Sequence, residues 1–185
     1  SSCIWIIILA LAAACSDFGD RKADWLIDDS GYKAVAEENN GFVTISNGLV
    51  SRTFSLAPDG ATTGFLNMMT GNELIRAVKP EAVLTINDIE VKVGGLTGQP
   101  VKNYLAQEWI PGLKADSLSP LKLSGYQTGE ISARFEWKKR SEWMAKDMPW
   151  PPHGKRVDFS YIPKRTGDSA IMIKVTVHYE IYDGL

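Results

Sequence analysis

Apolar and polar residues alternate with a period of two along most of the chain beyond residue 40. The alternation is most regular over 170–183, where every second side chain is apolar. This period predicts β-strands, because successive side chains of a strand point to opposite faces of a sheet. The other predicted strands are 42–46, 49–56, 82–86, 89–93, 130–138 and 156–163. A helical pattern appears only over 72–78, and Pro80 ends it.

Turn residues separate the predicted strands at short intervals. Asn47-Gly48 predicts a two-residue hairpin loop after the first strand, and Asn87-Asp88 predicts a second one. Many strands joined by such turns, without alternating helices, are typical of an all-β, antiparallel β-sandwich. The run 170–183 meets its turn signal at Gly184, where the given sequence almost ends. We therefore expect the sandwich, which is super-sandwich-like, to be incomplete at its C-terminus.

The last predicted strand has one apolar face and one mixed face. On the mixed face, His178 and Glu180 are two positions apart, so their side chains lie on the same side, about 7 Å apart. They could line a pocket or help to hold a cation, or they could form a polar pair with a neighbouring strand. The same alternation over 130–138 places Phe135 and Trp137 on an apolar, core-facing side.

The first residues form a short apolar run. Residues 4–14 carry no charge and, as a helix, would be about 16 Å long, against about 30 Å of hydrocarbon in a bilayer. Such a run followed by small residues is typical of a secretory signal. Leu11-Ala12-Ala13-Ala14-Cys15 resembles the lipobox of bacterial lipoproteins, which implies cleavage before Cys15 and acylation of its thiol. The alternatives are an ordinary signal peptide and a buried N-terminal helix.

The charge distribution divides the rest of the chain. Residues 15–40 hold seven acids and three bases, which predicts a solvated tether. The predicted organisation is a signal peptide over 1–14, an acidic tether over 15–40 and a β-sandwich over 41–185. The net charge of −2 provides no general attraction to nucleic acid or anionic lipid. We expect a protein of the cell envelope, lipid-anchored to the outer membrane, surface-exposed or periplasmic, that contacts the membrane only through its lipid and binds no nucleic acid.

Bases and tryptophans are concentrated over 134–165, where nine bases stand against four acids. Aromatic faces beside hydrogen-bonding groups suit a sugar, which has an apolar C–H face and a ring of hydroxyls, and they also suit single-stranded nucleic acid. The expected envelope location favours the sugar. The candidate carbohydrate-binding residues are Trp109, Trp143, Trp150 and His153. The alternative is that the tryptophans are buried and that the proline-rich loop over 149–154 is only a rigid connection.

No sequence motif for catalysis or for a cofactor stands out. Both cysteines, Cys3 and Cys15, precede the predicted domain, which excludes a disulfide, a cysteine-based zinc site and a cysteine nucleophile within it. The chain has no Gly-rich phosphate loop, no Gly-x-Ser-x-Gly and no His-Glu-x-x-His. A glycosidase needs two carboxyl groups across a cleft, and one sequence does not show which of 22 acids meet in space. We assign no catalytic residue, no metal ligand and no cofactor.

Three segments resemble a known family: 47–54 (NGLVSRTF), 70–76 (TGNELIR) and 177–184 (VHYEIYDG). They are similar to the N-terminal super-sandwich, itself similar to galactose mutarotase, of bacterial alpha-galactosidase-like glycoside hydrolases. The resemblance implies a non-catalytic domain that supports a downstream catalytic barrel of the same chain, with an oligo- or polysaccharide as partner. A free-standing glycan-binding surface lipoprotein and a structural lipoprotein without a ligand are the alternatives.

Overall fold

The computed structural model describes residues 24–138, 140, 142, 149–164 and 173–184. In this part, the chain forms two five-stranded sheets and one two-stranded sheet. The first sheet contains, in spatial order, Val35–Asn39 (β1), Phe42–Ser46 (β2), Val50–Ser55 (β3), Ala61–Asn67 (β4) and Asn72–Glu73 (β5). The second contains Val175–Tyr182 (β12), Gly154–Pro163 (β11), Leu121–Glu130 (β10), Ile89–Val93 (β7) and Ala82–Ile86 (β6). The small sheet pairs Leu96–Thr97 (β8) with Lys114–Ala115 (β9).

The strands are joined almost entirely in antiparallel pairs. The exception is a single parallel contact between β7 and β10, where Val93 lies beside Leu121. A 3-10 helix, Gln107–Gly112, is the helical element of the described residues, and none of their helices has the length and apolar character needed to cross a membrane. The predicted all-β, antiparallel sandwich is therefore confirmed.

The main core lies between the two five-stranded sheets. Phe54 of β3 is 1% exposed, and its ring centroid lies 4.9 Å from that of Phe159 on β11 and 4.6 Å from that of Tyr179 on β12. Val175, Val177, Tyr179 and Ile181 all pack on this core, which confirms the predicted apolar face of the last strand over that range. Each fully buried side chain of this size stabilises the fold by about 1.5–3 kcal/mol.

The two predicted hairpins form, with one change in the first loop. Asn87 and Asp88 both have positive φ, 49° and 62°, as a tight turn with two such residues requires. In the first hairpin Asn47 N donates to Val50 O at 3.3 Å, so Gly48 and Leu49 are the central pair instead of Asn47 and Gly48. The shift has a physical cause, because the Asn47 side chain is fully buried and accepts hydrogen bonds from the following backbone N–H groups.

The helix predicted over 72–78 is wrong. Asn72–Glu73 instead forms β5, in which Glu73 lies opposite Leu66 of β4. The Glu73 carboxylate also accepts hydrogen bonds from the backbone N–H groups of Phe65 and Ile75, both at 2.8 Å. The pairing with β4 and the bond from Phe65 N hold the segment extended, and they outweigh a weak local preference for helix.

The strand predicted over 130–138 is also wrong, because β10 ends at Glu130. Its neighbour β11 begins at Gly154, and the last paired position joins Glu130 to Lys155. Ile131 N still donates to Gly154 O at 3.4 Å, but no strand of the described residues lies beside 132–138 to continue the ladder. Phe135 and Trp137 consequently do not face the core.

The observed sandwich begins earlier than residue 41. Strand β1, Val35–Asn39, pairs along its whole length with β2 and lies within the range predicted as a tether. Tyr32 and Ala34 are buried, and Ala34 N donates to Asp183 Oδ1 at 2.8 Å. Residues 32–39 are therefore part of the fold, and Ala34 is hydrogen-bonded to Asp183, the residue that follows β12.

Candidate functional site

Three aromatic rings lie together on the surface and form the aromatic platform, which we define as Phe135, Trp137 and Trp150. The ring centroid of Trp150 lies 4.5 Å from that of Trp137 and 6.1 Å from that of Phe135. The three residues keep 65%, 37% and 41% of their surface exposed, in the order Phe135, Trp137, Trp150. Aromatic residues of this size are normally buried. A cluster of three in contact with solvent therefore marks a candidate binding surface.

Polar and charged groups stand beside the platform. Arg134 and Glu136 share with the three rings a shallow cavity of about 480 Å³. An aromatic face packs against apolar C–H groups, while a guanidinium donates and a carboxylate accepts hydrogen bonds. The cavity thus offers both kinds of contact that a sugar ring can use.

An ion pair attaches the platform to the second sheet. The Arg134 Nε donates to Glu180 Oε1 at 3.1 Å, and the Tyr182 hydroxyl donates to Glu180 Oε2 at 2.7 Å. Partial burial on its own would raise the pKa of Glu180, but the bond from Tyr182 and the guanidinium of Arg134 outweigh it and hold that pKa below its ordinary value. Glu180 is therefore charged at neutral pH and can hold Arg134, next in sequence to Phe135.

Gly154 brings the loop that carries Trp150 close to β12. A Cβ at Gly154 would lie 2.7 Å from the Ile131 side chain and 2.9 Å from Tyr182 Cα. Only glycine permits this approach, because real Cβ atoms do not come closer than about 3 Å to other heavy atoms. Ile131 and Gly154 are thereby held close together, and the segments that carry Phe135 and Trp150 start from this point.

The other predicted carbohydrate-binding residues lie in different places. His153 is exposed, and its carbonyl accepts a hydrogen bond from Asp183 N at 3.0 Å. Trp109 is half-buried in the 3-10 helix, and its ring meets Tyr104 edge-on at 5.8 Å. Trp143 and the predicted lipidation site Cys15 lie outside the described residues. Among the candidates that the structure describes, Trp150 is the one that belongs to the platform.

The mixed face of β12 holds paired charges. His178 lies opposite Asp158 of β11, and its Nδ1 is 2.7 Å from Asp158 Oδ1. Arg156 forms an ion pair with the second oxygen of Asp158. The cation that Glu180 contacts is the Arg134 guanidinium. His178 and Glu180 therefore both lie in polar pairs, one of the arrangements considered for them, and Glu180 also lines a small cavity of about 220 Å³.

Within the described ranges, no three side chains of the His, Cys, Asp and Glu types come close enough to hold a metal ion. The Asp158 carboxylate orients the imidazole ring of His178 through a hydrogen bond, as a carboxylate does for a catalytic histidine. In the described part of the chain, however, no hydroxyl or thiol that could act as a nucleophile is hydrogen-bonded to this imidazole. The arrangement orders the surface of the sheet and does not by itself constitute a nucleophilic site.

Sequence reasoning missed Phe135 and Trp137 as surface residues. Their alternation with charged residues imitates a half-buried strand. The strand that ends here, Leu121–Glu130, was not itself predicted, and no sequence signal marked Glu130 as its end.

Comparison with protein-family models, with curated proteins and with solved structures finds no match to this chain. The functional proposal therefore rests on the platform geometry and on the sequence features described above.

Proposed function

We propose that this β-sandwich binds carbohydrate through the aromatic platform and is the non-catalytic N-terminal part of a surface-anchored glycan-degrading protein. One observation carries the proposal: Phe135, Trp137 and Trp150 expose adjacent rings beside Arg134 and Glu136. The rings would stack on the C–H faces of sugars, and the two charged groups would bond to their hydroxyls.

The rest of the proposed context comes from sequence features. The lipobox-like segment ending at Cys15 supports an envelope protein attached to the outer membrane by lipid, and the resemblance of 47–54, 70–76 and 177–184 supports a parent glycoside hydrolase. A free-standing glycan-binding lipoprotein would use the same platform. The complete gene distinguishes the two, since only the first requires a downstream catalytic barrel.

Affinity electrophoresis tests the platform. The full chain is run in native gels containing galactomannan, xyloglucan, starch or a mucin-type glycan, and retardation is compared among variants. We expect at least one glycan to retard the protein, and Trp150→Ala or Trp137→Ala to weaken its binding by about tenfold.

Two controls separate this outcome from general surface effects. Ile89→Ala removes an exposed apolar side chain elsewhere, and Trp25→Ala removes a tryptophan that lies outside the platform. Both should leave the retardation unchanged. If the Trp137→Ala, Trp150→Ala double variant is retarded as strongly as the wild type, the platform is not the binding surface. If no glycan of the panel retards the protein, carbohydrate binding by the platform is refuted for these polymers.

The anchor has a test of its own. The natural full-length protein should incorporate labelled fatty acid and sediment with membranes, and Cys15→Ala should abolish both. Unchanged incorporation in the variant would contradict the assignment of Cys15.

A further inference from the structure

A second concave site lies on the face of the first sheet that points away from the main core. It is a groove of about 750 Å³, between β3, β4 and β5 on one side and residues 104–111 on the other. Thr53 of β3 lines it, whereas the next residue, Phe54, points into the core. Cavities of about 300–1,000 Å³ are the size that binds small organic ligands.

The groove is held open by its own framework. The side-chain amide of Gln99 donates to the carbonyls of Arg76 at 3.0 Å and Tyr104 at 2.7 Å, and its oxygen accepts from Val78 N at 3.0 Å. These bonds tie the two walls together. A second apolar cluster supports them from below, formed by Ala61, Val78, Leu96, Leu105, Ile110 and Leu113. The groove is therefore preformed, and a ligand would not have to order its walls.

A polar niche lies at its centre, above Gly64. A Cβ placed on Gly64 would be 3.5 Å from Glu73 Oε2 and 3.6 Å from Thr53 Oγ1, so these two oxygens flank the open space left by the glycine. The other oxygen, Glu73 Oε1, is fixed by backbone N–H groups, and no described residue is hydrogen-bonded to Oε2. The Thr53 hydroxyl lies 3.2 Å from the Thr44 hydroxyl and forms a hydrogen bond with it. A hydroxyl has one donor and two acceptor positions, so that of Thr53 can form a further bond. The niche thus presents an oriented carboxylate oxygen and a hydroxyl to a ligand.

Apolar surface surrounds this niche. Leu66 and Ile75 line the groove, and Tyr104, which is 56% exposed, stands at its wall. Arg76 and Glu108 supply a donor and an acceptor on the two sides. A ligand that suits such a site has an apolar face and several hydroxyls.

We infer that the groove is a second saccharide site, which takes one or two sugar residues with a hydroxyl group seated above Gly64 between Glu73 and Thr53. The choice of a sugar as ligand rests on the proposed function, while the site itself stands on separate residues from the platform. The rings of the platform stack on the sugar faces along a polysaccharide, whereas the groove binds a short saccharide or the end of a chain.

Methyl glycosides are the probes for this site, because they are too small to need the platform. Binding of the methyl glycosides of galactose, glucose, mannose and xylose to the full chain is measured by ligand-observed NMR titration. We expect at least one to bind, and Thr53→Val, Glu73→Gln and Gly64→Val each to weaken it by about tenfold or more. Glu73→Gln retains an oxygen for the Phe65 and Ile75 N–H groups but turns a donor toward the niche.

Matched controls remove the same groups elsewhere. Thr85→Val and Glu90→Gln alter exposed strand residues outside the groove, and Trp150→Ala alters the platform. All three should bind the glycoside as the wild type does, and thermal unfolding should show that the niche variants remain folded.

The outcomes separate the two proposals. If polymers bind through the platform but no methyl glycoside binds, or if a glycoside binds equally to all three niche variants, the groove proposal is overturned and the platform proposal stands. If a glycoside binds and the niche variants lose it while no polymer is retarded, the groove is a saccharide site and the platform proposal fails.

Discussion

Asn47→Ala should destabilise the sandwich far more than its place in a hairpin loop would indicate. Asn47 Oδ1 accepts hydrogen bonds from Leu49 N at 3.0 Å and Val50 N at 3.1 Å. Its Nδ2 donates to Tyr182 O on β12 at 2.9 Å, so the turn of one sheet is bonded to a strand of the other. The side chain is 0% exposed, and water cannot replace these partners without opening the structure.

The expected loss follows from the number of bonds. Each hydrogen bond contributes about 1 kcal/mol net, and a buried donor left without a partner costs about 1–3 kcal/mol. Asn47→Ala removes three hydrogen bonds and leaves the buried Leu49 N–H without its partner. The variant should therefore be less stable than the wild type by about 3 kcal/mol. This is a large part of the roughly 5–15 kcal/mol that separates folded from unfolded domains.

Asn67 provides a matched control. Its Oδ1 makes the same kind of turn, accepting from Met69 N at 3.0 Å and Thr70 N at 3.2 Å, but the turn is exposed to water. Asn67→Ala should therefore cost no more than about 1 kcal/mol. Urea unfolding followed by tryptophan fluorescence gives both free energies, provided that the slope with denaturant is unchanged. Equal losses in the two variants would refute the argument that Asn47 links the sheets.

Three further predictions concern packing and charge. Gly154→Ala would press a Cβ against the Ile181 carbonyl oxygen and should cost about 2 kcal/mol or more in urea unfolding, whereas Gly125→Ala, with open space around it, should change little. Phe54→Ala should cost about 3–5 kcal/mol in the same assay, and a loss below about 1 kcal/mol would contradict its place in the core. The pKa of Glu180 is lower in the folded state than its ordinary value of 4.5. The unfolded state therefore binds more protons as the pH falls below 4.5, and the stabilisation that the charged Glu180 contributes at higher pH is lost over this range. Glu180→Gln should reduce this acid-range decline, and an unchanged pH profile would refute the assignment.

The alternation of apolar and polar residues predicted the strands correctly where local backbone geometry decided the structure. The strands before and after Asn87-Asp88 form as predicted because positive φ at both turn residues suits Asn and Asp and matches the twist of a hairpin. β11 and the apolar face of β12 were also predictable, because period-two burial follows from the strand backbone itself.

Predictions failed where a neighbour in space decided the structure. Residues 131–138 have the pattern of a strand, but β11 begins too late to pair with them. Glu73 lies in a segment with a helical pattern, but its carboxylate is satisfied by backbone groups of Phe65 and Ile75 in an extended arrangement. Strand β1 was hidden in an acidic segment, because only its pairing with β2 shows that it belongs to the sheet.

The sequence by itself determined the class of fold, the hairpin turn at Asn87-Asp88, the existence of a hairpin between β2 and β3, and the tryptophan-rich region that contains Trp150, since these depend on local backbone preference and composition. The buried side chain of Asn47 decided that Gly48 and Leu49 are the central pair of the first hairpin. The tertiary structure decided which rings are exposed together and which oxygens face a groove. Phe135 and Trp137 join Trp150, and Thr53 meets Glu73, across long stretches of chain. Such juxtapositions depend on strand register and loop closure, which are set by the packing of the whole sandwich and not by the residues next to each site.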